Sequence, residues 1–306
     1  MKNTEAWAKI SPYNRYYDFI APDADRYTVL LEHIEKLKLN SAVITVSGNR
    51  HIFIFPPDQK SLRSKSGFPF RGQNPYLLCA HYDRVTDSPG ANDNSIAVFH
   101  LLNAAIKLSV RGISKWIIVF TDKEELKKGE SFEDQGSFSL AREMKMWGLE
   151  KARIYNFDTC GAGNAFLIST TTDHILENSE RPNIKKVSKK IKQLRDHALA
   201  TTDILRTEKV LLAPAPFSDD AGFLFAGLAS QTVTILPGSE AEKYEALLRV
   251  RPEFIDLIIS GKAGEPDNRK YLPETWLNLN NAGDTPSRLT PQYFDQIVRF
   301  MVELCR

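Results

Sequence analysis

Cysteine is scarce in this chain: Cys79, Cys160 and Cys305 are the three in 306 residues, far apart and without a CxxC pair. That spacing supports neither a disulfide framework nor a thiolate zinc site. Long apolar runs are missing as well. No stretch is long enough to span a bilayer, and the opening segment MKNTEAWAKISPYNRYYDF lacks the apolar core of a signal peptide. A soluble cytoplasmic protein with no membrane partner is therefore expected. An excess of one charge is lacking too, since 40 lysines and arginines against 38 aspartates and glutamates leave a formal net charge of +2. Such a balance offers no electrostatic reason to expect nucleic acid as a partner. The local exception, KKVSKKIKQLR at 185–195, reads as the solvated face of an amphipathic helix. Internal repeats and low-complexity linkers are also absent, and 42% hydrophobic content suffices for a real core. One domain over residues 1–306 is expected.

What the chain does have is alternation. Residues 24–38 read as a helix, and AVITV (42–46) and HIFIF (51–55) as a hairpin across SGNR, so 1–70 forms an N-terminal helix and hairpin. Strands are then expected at 76–80, 115–120, 152–158 and 230–236. Between them fall helices at 95–110, 136–148 and 183–200, and a last helix opens at Thr290 with Pro291 in its first turn. KWIIVF (115–120) is a continuous apolar run, as a central strand buried on both faces requires. The pattern predicts an α/β fold with a mostly parallel central sheet and helices on both faces. GAGNAF (161–166) imitates the opening of a dinucleotide fingerprint but lacks the third glycine, and reads as a turn. Residues 238–280, punctuated by proline and glycine, read as an insertion near a site.

Acidic residues recur where strands end. In CAHYDRVTDSPGANDNS (79–95), His81 and Asp83 follow one strand and Asp93 opens the next helix. Glu124 and Glu125 follow KWIIVFTDK, and Asp158 ends ARIYNFD. In a parallel sheet these ends converge on one crevice. A histidine and several carboxylates there are oxygen and nitrogen donors of the kind zinc accepts. His33, His51, His100, His174 and His197 lie outside these motifs and read as packing or surface residues.

The ordered set AHYDRV, GANDN, FTDKEE followed by GSFSLA, NFDTCG, FSDDAGFLFAG and NNAGDT resembles the zinc exopeptidases related to bacterial leucyl aminopeptidase, aminopeptidase Y and glutamate carboxypeptidase. Glutaminyl cyclases share that phosphorylase/hydrolase-like fold. The resemblance covers about residues 70 to 304. It implies one or two zinc ions per chain, with His81, Asp93 and Asp158 holding the first. Asp93 would bridge to a second, which Glu125 also binds. Asp83 would fix the tautomer of His81. Glu124 would be the general base that takes a proton from the attacking water and passes it to the leaving amine. The implied substrate is a peptide or an amino-acid derivative.

One position departs from the family. Its last ligand is a histidine four residues before an Asp-Thr pair; here the pair is Asp284-Thr285, and Asn280 stands in that place. No histidine follows His197, so no shift in alignment recovers one. Asn280 offers only a carboxamide oxygen, and the usual SDH reads Ser218-Asp219-Asp220. Cyclases depend on the counterparts of Asp93, Glu125 and the missing histidine, so the intact His81, Asp93 and Asp158 favour a metal-dependent hydrolase, an aminopeptidase acting on short peptides. A glutaminyl cyclase-like acyltransferase is one alternative, which the insertion LKKGESFED resembles. A degenerate relative that binds a peptide or amino acid without turnover is the other, against which Glu124 speaks.

Overall fold

Eight strands make one sheet in the computed structural model, which describes residues 6–59, 68–178 and 180–306. They are β1 (Asn40–Val46), β2 (Asn49–Phe55), β3 (Tyr76–His81), β4 (Trp116–Thr121), β5 (Arg153–Phe157), β6 (Ala165–Ser169), β7 (Lys209–Ala213) and β8 (Ser230–Leu236). Their spatial order is β1-β2-β4-β3-β5-β8-β6-β7. The centre, β4-β3-β5-β8, is parallel, as is the edge pair β6-β7. The hairpin β1-β2 joins β4 antiparallel, and β8 meets β6 antiparallel. The expected α/β fold of the zinc-exopeptidase type, one domain around a mostly parallel sheet, is the observed one.

Helices cover both faces because the central strands are apolar on both. Successive side chains of a strand point to opposite sides, so Leu78, Ala80, Ile118 and Phe120 face one core while Leu77, Cys79, Ile117 and Val119 face another. The first core is closed by α1 (Arg26–Lys36), α2 (Ile96–Val110), α4 (Ser188–Ile204) and α7 (Phe294–Leu304), and the second by α3 (Gly136–Met146) and α5 (Asp219–Phe225). A third core joins β6, β7 and β8 to α6 (Gly238–Val250), Phe254 and Trp276. The segment 238–280 is thus largely helical and packed through residues such as Ala241 and Tyr244. Of the N-terminal stretch 1–70, residues 1–5 and 60–67 lie outside the described residues. No helix among the described residues is long and apolar enough to cross a membrane.

Two strands escape a reading of periodicity. AFLIS in β6 and KVLLA in β7 are five-residue runs, too short to tell a strand from a buried helical turn. GAGNAF is a turn at its start and the entry to β6 at its end. Its glycines serve close packing. Gly163 has φ +109°, and a Cβ there would stand 2.1 Å from the Leu236 carbonyl carbon of neighbouring β8. Gly163→Ala should therefore lower stability by about 2–4 kcal/mol, since left-handed strain and a backbone clash act together. Denaturant midpoints measure it, and an unchanged midpoint would show that the turn relaxes.

Candidate metal centre

His81 is the last residue of β3, paired in register with Thr121 at the end of β4. Glu124 and Glu125 lie three and four residues beyond that strand end, and Asp158 directly follows β5. Parallel register therefore delivers residues from three chain segments to one crevice. Asp93 arrives from the turn into α2, where Gly90 adopts the left-handed conformation and the Asp93–Asn94 peptide is cis.

The imidazole is fully buried and ringed by acids. His81 Nε2 lies 3.1 Å from Asp93 Oδ1, 3.8 Å from Asp158 Oδ1 and 4.0 Å from Glu124 Oε2. On its other side Nδ1 is 3.3 Å from the Asp83 carbonyl oxygen and 3.5 Å from Asp83 Oδ1. The Asp83 carboxylate also accepts the backbone N–H of Glu124 and of Glu125, at 3.1 and 3.0 Å. One side chain thus aligns the histidine from β3 with the glutamates that follow β4.

Other side chains hold the loops in place, and sequence reasoning missed most of them. Asp284, noted only as a landmark, accepts the backbone N–H of Asn92 and Asp93 through its two oxygens, each at 2.9 Å. Asn94 donates to the Phe157 carbonyl at 2.8 Å and accepts from Thr159 N–H, tying Asp93 to the end of β5. Buried Arg26, the first residue of α1, donates to the carbonyls of Tyr82, Asp83, Pro89 and Gly90 and to Ser95 Oγ. Gln135 donates to Glu124 Oε1 at 3.1 Å and accepts from Gly222 N–H. Asp219 accepts from Thr121 Oγ1 at 2.5 Å. No periodicity or motif announces Arg26 or Gln135, because their partners are mostly main-chain groups distant in sequence.

Burial and mutual repulsion shift these acids. Burial, then Glu125 and Asp158 against the opposing pull of His81, pushes Glu124 well above its ordinary value. Burial and the charge of Asp93 lift Glu125 to about 9. Asp284 and Asp220 rise to about 7 and Asp219 to about 6, burial leading in each. Asp83 moves down, because His81 and two backbone N–H groups outweigh its burial. For His81, burial opposes protonation, but Asp158, Asp83 and Asp93 outweigh it and raise its pKa.

The donor set fits a divalent cation. Nε2 of His81, Oε1 of Glu125 and Oδ1 of Asp158 are buried without a hydrogen-bond partner. Donor atoms of His81, Asp93 and Glu125 lie within 4.8 Å of one another. Donors about 2.1 Å from a tetrahedral zinc stand roughly 3.4 Å apart, close to the 3.1 and 3.8 Å separations here. Asn280 does not join that cluster by any hydrogen bond, but it lines the same small cavity as Asp93, Glu124 and Asp158. Its φ of +58° is one that asparagine tolerates better than most residues.

Fold and site together define a class: α/β proteins with an acid-rich candidate metal centre at the carboxyl ends of parallel strands. The sequence profile of peptidase family M28 matches residues 63–244, and the chain belongs to that family. No curated protein matches the sequence. Among solved structures it is similar to Porphyromonas gingivalis glutaminyl cyclase (TM-score 0.59, 16% identity, 95% of this chain and 94% of that one). It is similar also to a Zn-dependent exopeptidase from Parabacteroides distasonis (0.59, 13%, 99% and 96%). BSAP, a zinc aminopeptidase from Bacillus subtilis, matches at 0.52 and 16% over 83% of this chain, which spans about half, 48%, of that protein. At such identities the likeness is one of fold.

A pH dependence follows for the metal-free protein. Glu125 has an ordinary value of 4.5 and a folded one of about 9. A carboxyl group raised in the fold contributes its full stability below its unfolded pKa and loses it as pH rises towards the folded one. Chelator-treated protein should therefore lose thermal stability between about pH 5 and 9, and zinc should restore it while releasing protons. Scanning calorimetry with and without zinc tests this; a flat Tm across that range refutes the electrostatic account.

Proposed function

We propose that this chain is a zinc-dependent aminopeptidase acting on short peptides. The observation that carries the reading is the gathering of His81, Asp93 and Glu125 donors within 4.8 Å of one another, with Asp158 Oδ1 3.8 Å and Glu124 Oε2 4.0 Å from His81 Nε2. His81, Asp93 and Asp158 would hold one zinc, and Asp93 and Glu125 a second, with Asn280 beside them. A bound zinc supplies positive charge that polarises a scissile carbonyl and makes water more acidic.

The chain's own residues supply the rest. Gln135 holds Glu124 by one oxygen, while the other lies on the His81 side. A carboxylate so placed takes a proton from the attacking water and returns it to the leaving amine. Asp83 keeps the His81 ring oriented, so that Nε2 faces the acids. The adjoining cavity is about 80 Å³, walled by Phe217 and Trp276, with Thr232 and Thr234 also lining it. The surrounding acids suit a free α-amine. We place 238–280 as the segment that builds one wall of this cavity, through Trp276, Leu279 and Asn280. Three buried free thiols suit a reducing, cytoplasmic compartment.

The second reading is a glutaminyl cyclase-like acyltransferase, favoured by the near-complete overlap with the Porphyromonas gingivalis enzyme. Assay of aminoacyl amides beside glutaminyl peptides separates the two: free amino acid supports the peptidase, while ammonia with a pyroglutamyl product supports the cyclase. Glu124→Gln should keep bound metal while activity falls by about 10²–10⁴, the usual worth of a positioned base. Glu125→Gln should instead lower metal affinity. Equal metal loss in both variants, by elemental analysis, would sink the division of roles.

Asn280 supplies a gain-of-function test. Replacing the carboxamide by imidazole in Asn280→His should raise affinity for a second zinc by about tenfold or more, because neutral imidazole is the better donor. The gain should fade at acidic pH, where a protonated histidine does not coordinate. Zinc titration of both proteins reads it out, and unchanged affinity with the first metal still bound would leave a one-metal site built on His81, Asp93 and Asp158.

A further inference from the structure

The basic run at 185–195 plays no part in the crevice, and the fold puts it at the other end of the sheet. There a groove of about 970 Å³ opens beside Arg153, the first residue of β5, and the start of α4. Five cations line it, Lys151, Arg153, Lys186, Lys189 and Lys190, against the single acid Glu150. The candidate metal centre lies past the other end of β5, roughly 17 Å away along five residues of strand. The two sites share the strand and no residue.

A solvated helix face does not account for this arrangement. Lys151 and Arg153 come from the turn and strand before β5 proceeds inward, so the cluster is assembled by tertiary structure rather than by one helix. Lys151, Lys186 and Lys189 make no ion pair among the described residues. Two of the lysines, Lys189 and Lys190, stand in the first turn of α4, which holds no acid, and Lys186 just precedes it. The helix dipole already makes that end positive, so it disfavours cations and favours an anion.

Part of the groove is held in advance. Lys190 Nζ donates to the Glu150 carbonyl at 2.9 Å. Burial draws Lys190 down to about 8, against the opposing pull of Glu150 and with a smaller push from Arg153. The Arg153 guanidinium lies over the Tyr76 ring and donates to its hydroxyl, while His197 stacks on the same ring and meets Tyr155 Oη at 2.7 Å. The rings are engaged with one another, so the groove offers a ligand fixed charge rather than a free stacking platform.

We propose that this groove is an anion site for a small phosphate-bearing molecule, a nucleotide or an inorganic polyphosphate. Its volume falls within the range of roughly 300–1,000 Å³ typical of small-molecule sites. Cations from two chain segments, one of them a guanidinium held against Tyr76, suit several phosphate oxygens better than one carboxylate.

Calorimetric titration of the full-length protein with tripolyphosphate and, separately, with ADP tests the proposal. At low salt at least one should bind, with affinity falling as salt rises. Lys151→Glu/Lys189→Glu should weaken binding by about tenfold or more, whereas Lys192→Glu, exposed on the same helix but outside the groove, should change it by less than about twofold. All three positions are exposed, and unchanged thermal unfolding would verify that the variants are folded. Tighter binding of ADP identifies a nucleotide site, and equal or tighter binding of tripolyphosphate an inorganic one; either supports the proposal. Absence of millimolar binding by both probes overturns it. So does equal weakening by Lys192→Glu, which would mean diffuse charge, or full binding by the double variant, which would place the anion elsewhere. Affinity for single-stranded oligonucleotides that exceeds both probes and grows with length would likewise overturn the small-ligand assignment.

Discussion

Buried acids surround one buried imidazole at the carboxyl end of the sheet, and this electrostatic conflict is the constraint to which much of the structure answers. Asp83, Asp93, Glu124 and Asp158 lie around His81, with Asp219 and Asp284 close behind. Carboxylates crowded at low dielectric repel one another and lose hydration, so they take up protons unless positive charge is supplied. His81 supplies some. The atoms left without partners, on His81, Glu125 and Asp158, are donors that a divalent cation would satisfy.

Such an arrangement collapses unless its loops are fixed, and the fixing groups are mostly outside the acid motifs. Asp83 pins the backbone of both glutamates, Asp284 pins Asn92 and Asp93, and Asn94 ties their turn to β5. Arg26 gathers four carbonyls of the loop after β3 from a helix that precedes the parallel sheet entirely. Charged hydrogen bonds to main-chain groups are both strong and directional. They give the crevice a shape that the carboxylates alone would oppose.

The sheet also separates two kinds of charge. Its carboxyl end gathers acids, while the groove at the start of β5 gathers cations. A formal net charge of +2 conceals this division, because whole-chain sums cancel what the fold segregates.

Much of the architecture was legible in local pattern. Continuous apolar runs such as KWIIVF announce strands buried on both faces, and histidine or acids just beyond them mark one rim of a parallel sheet. AFLIS and KVLLA were not legible as strands, because five apolar residues fit either structure. The glycines of GAGNAF gained their meaning only from β8, whose backbone leaves no room for a Cβ at Gly163. The sequence by itself determined the alternation, the apolar periodicity and the chemistry available at each strand end, since those are properties of neighbouring residues. Only the tertiary structure decided that Asp284 and Arg26 hold the turn around Asp93, that Asn280 shares a cavity with Glu124, and that Lys151 and Lys189 line one groove. Those pairings depend on strand order and register, which bring together groups that no local pattern relates.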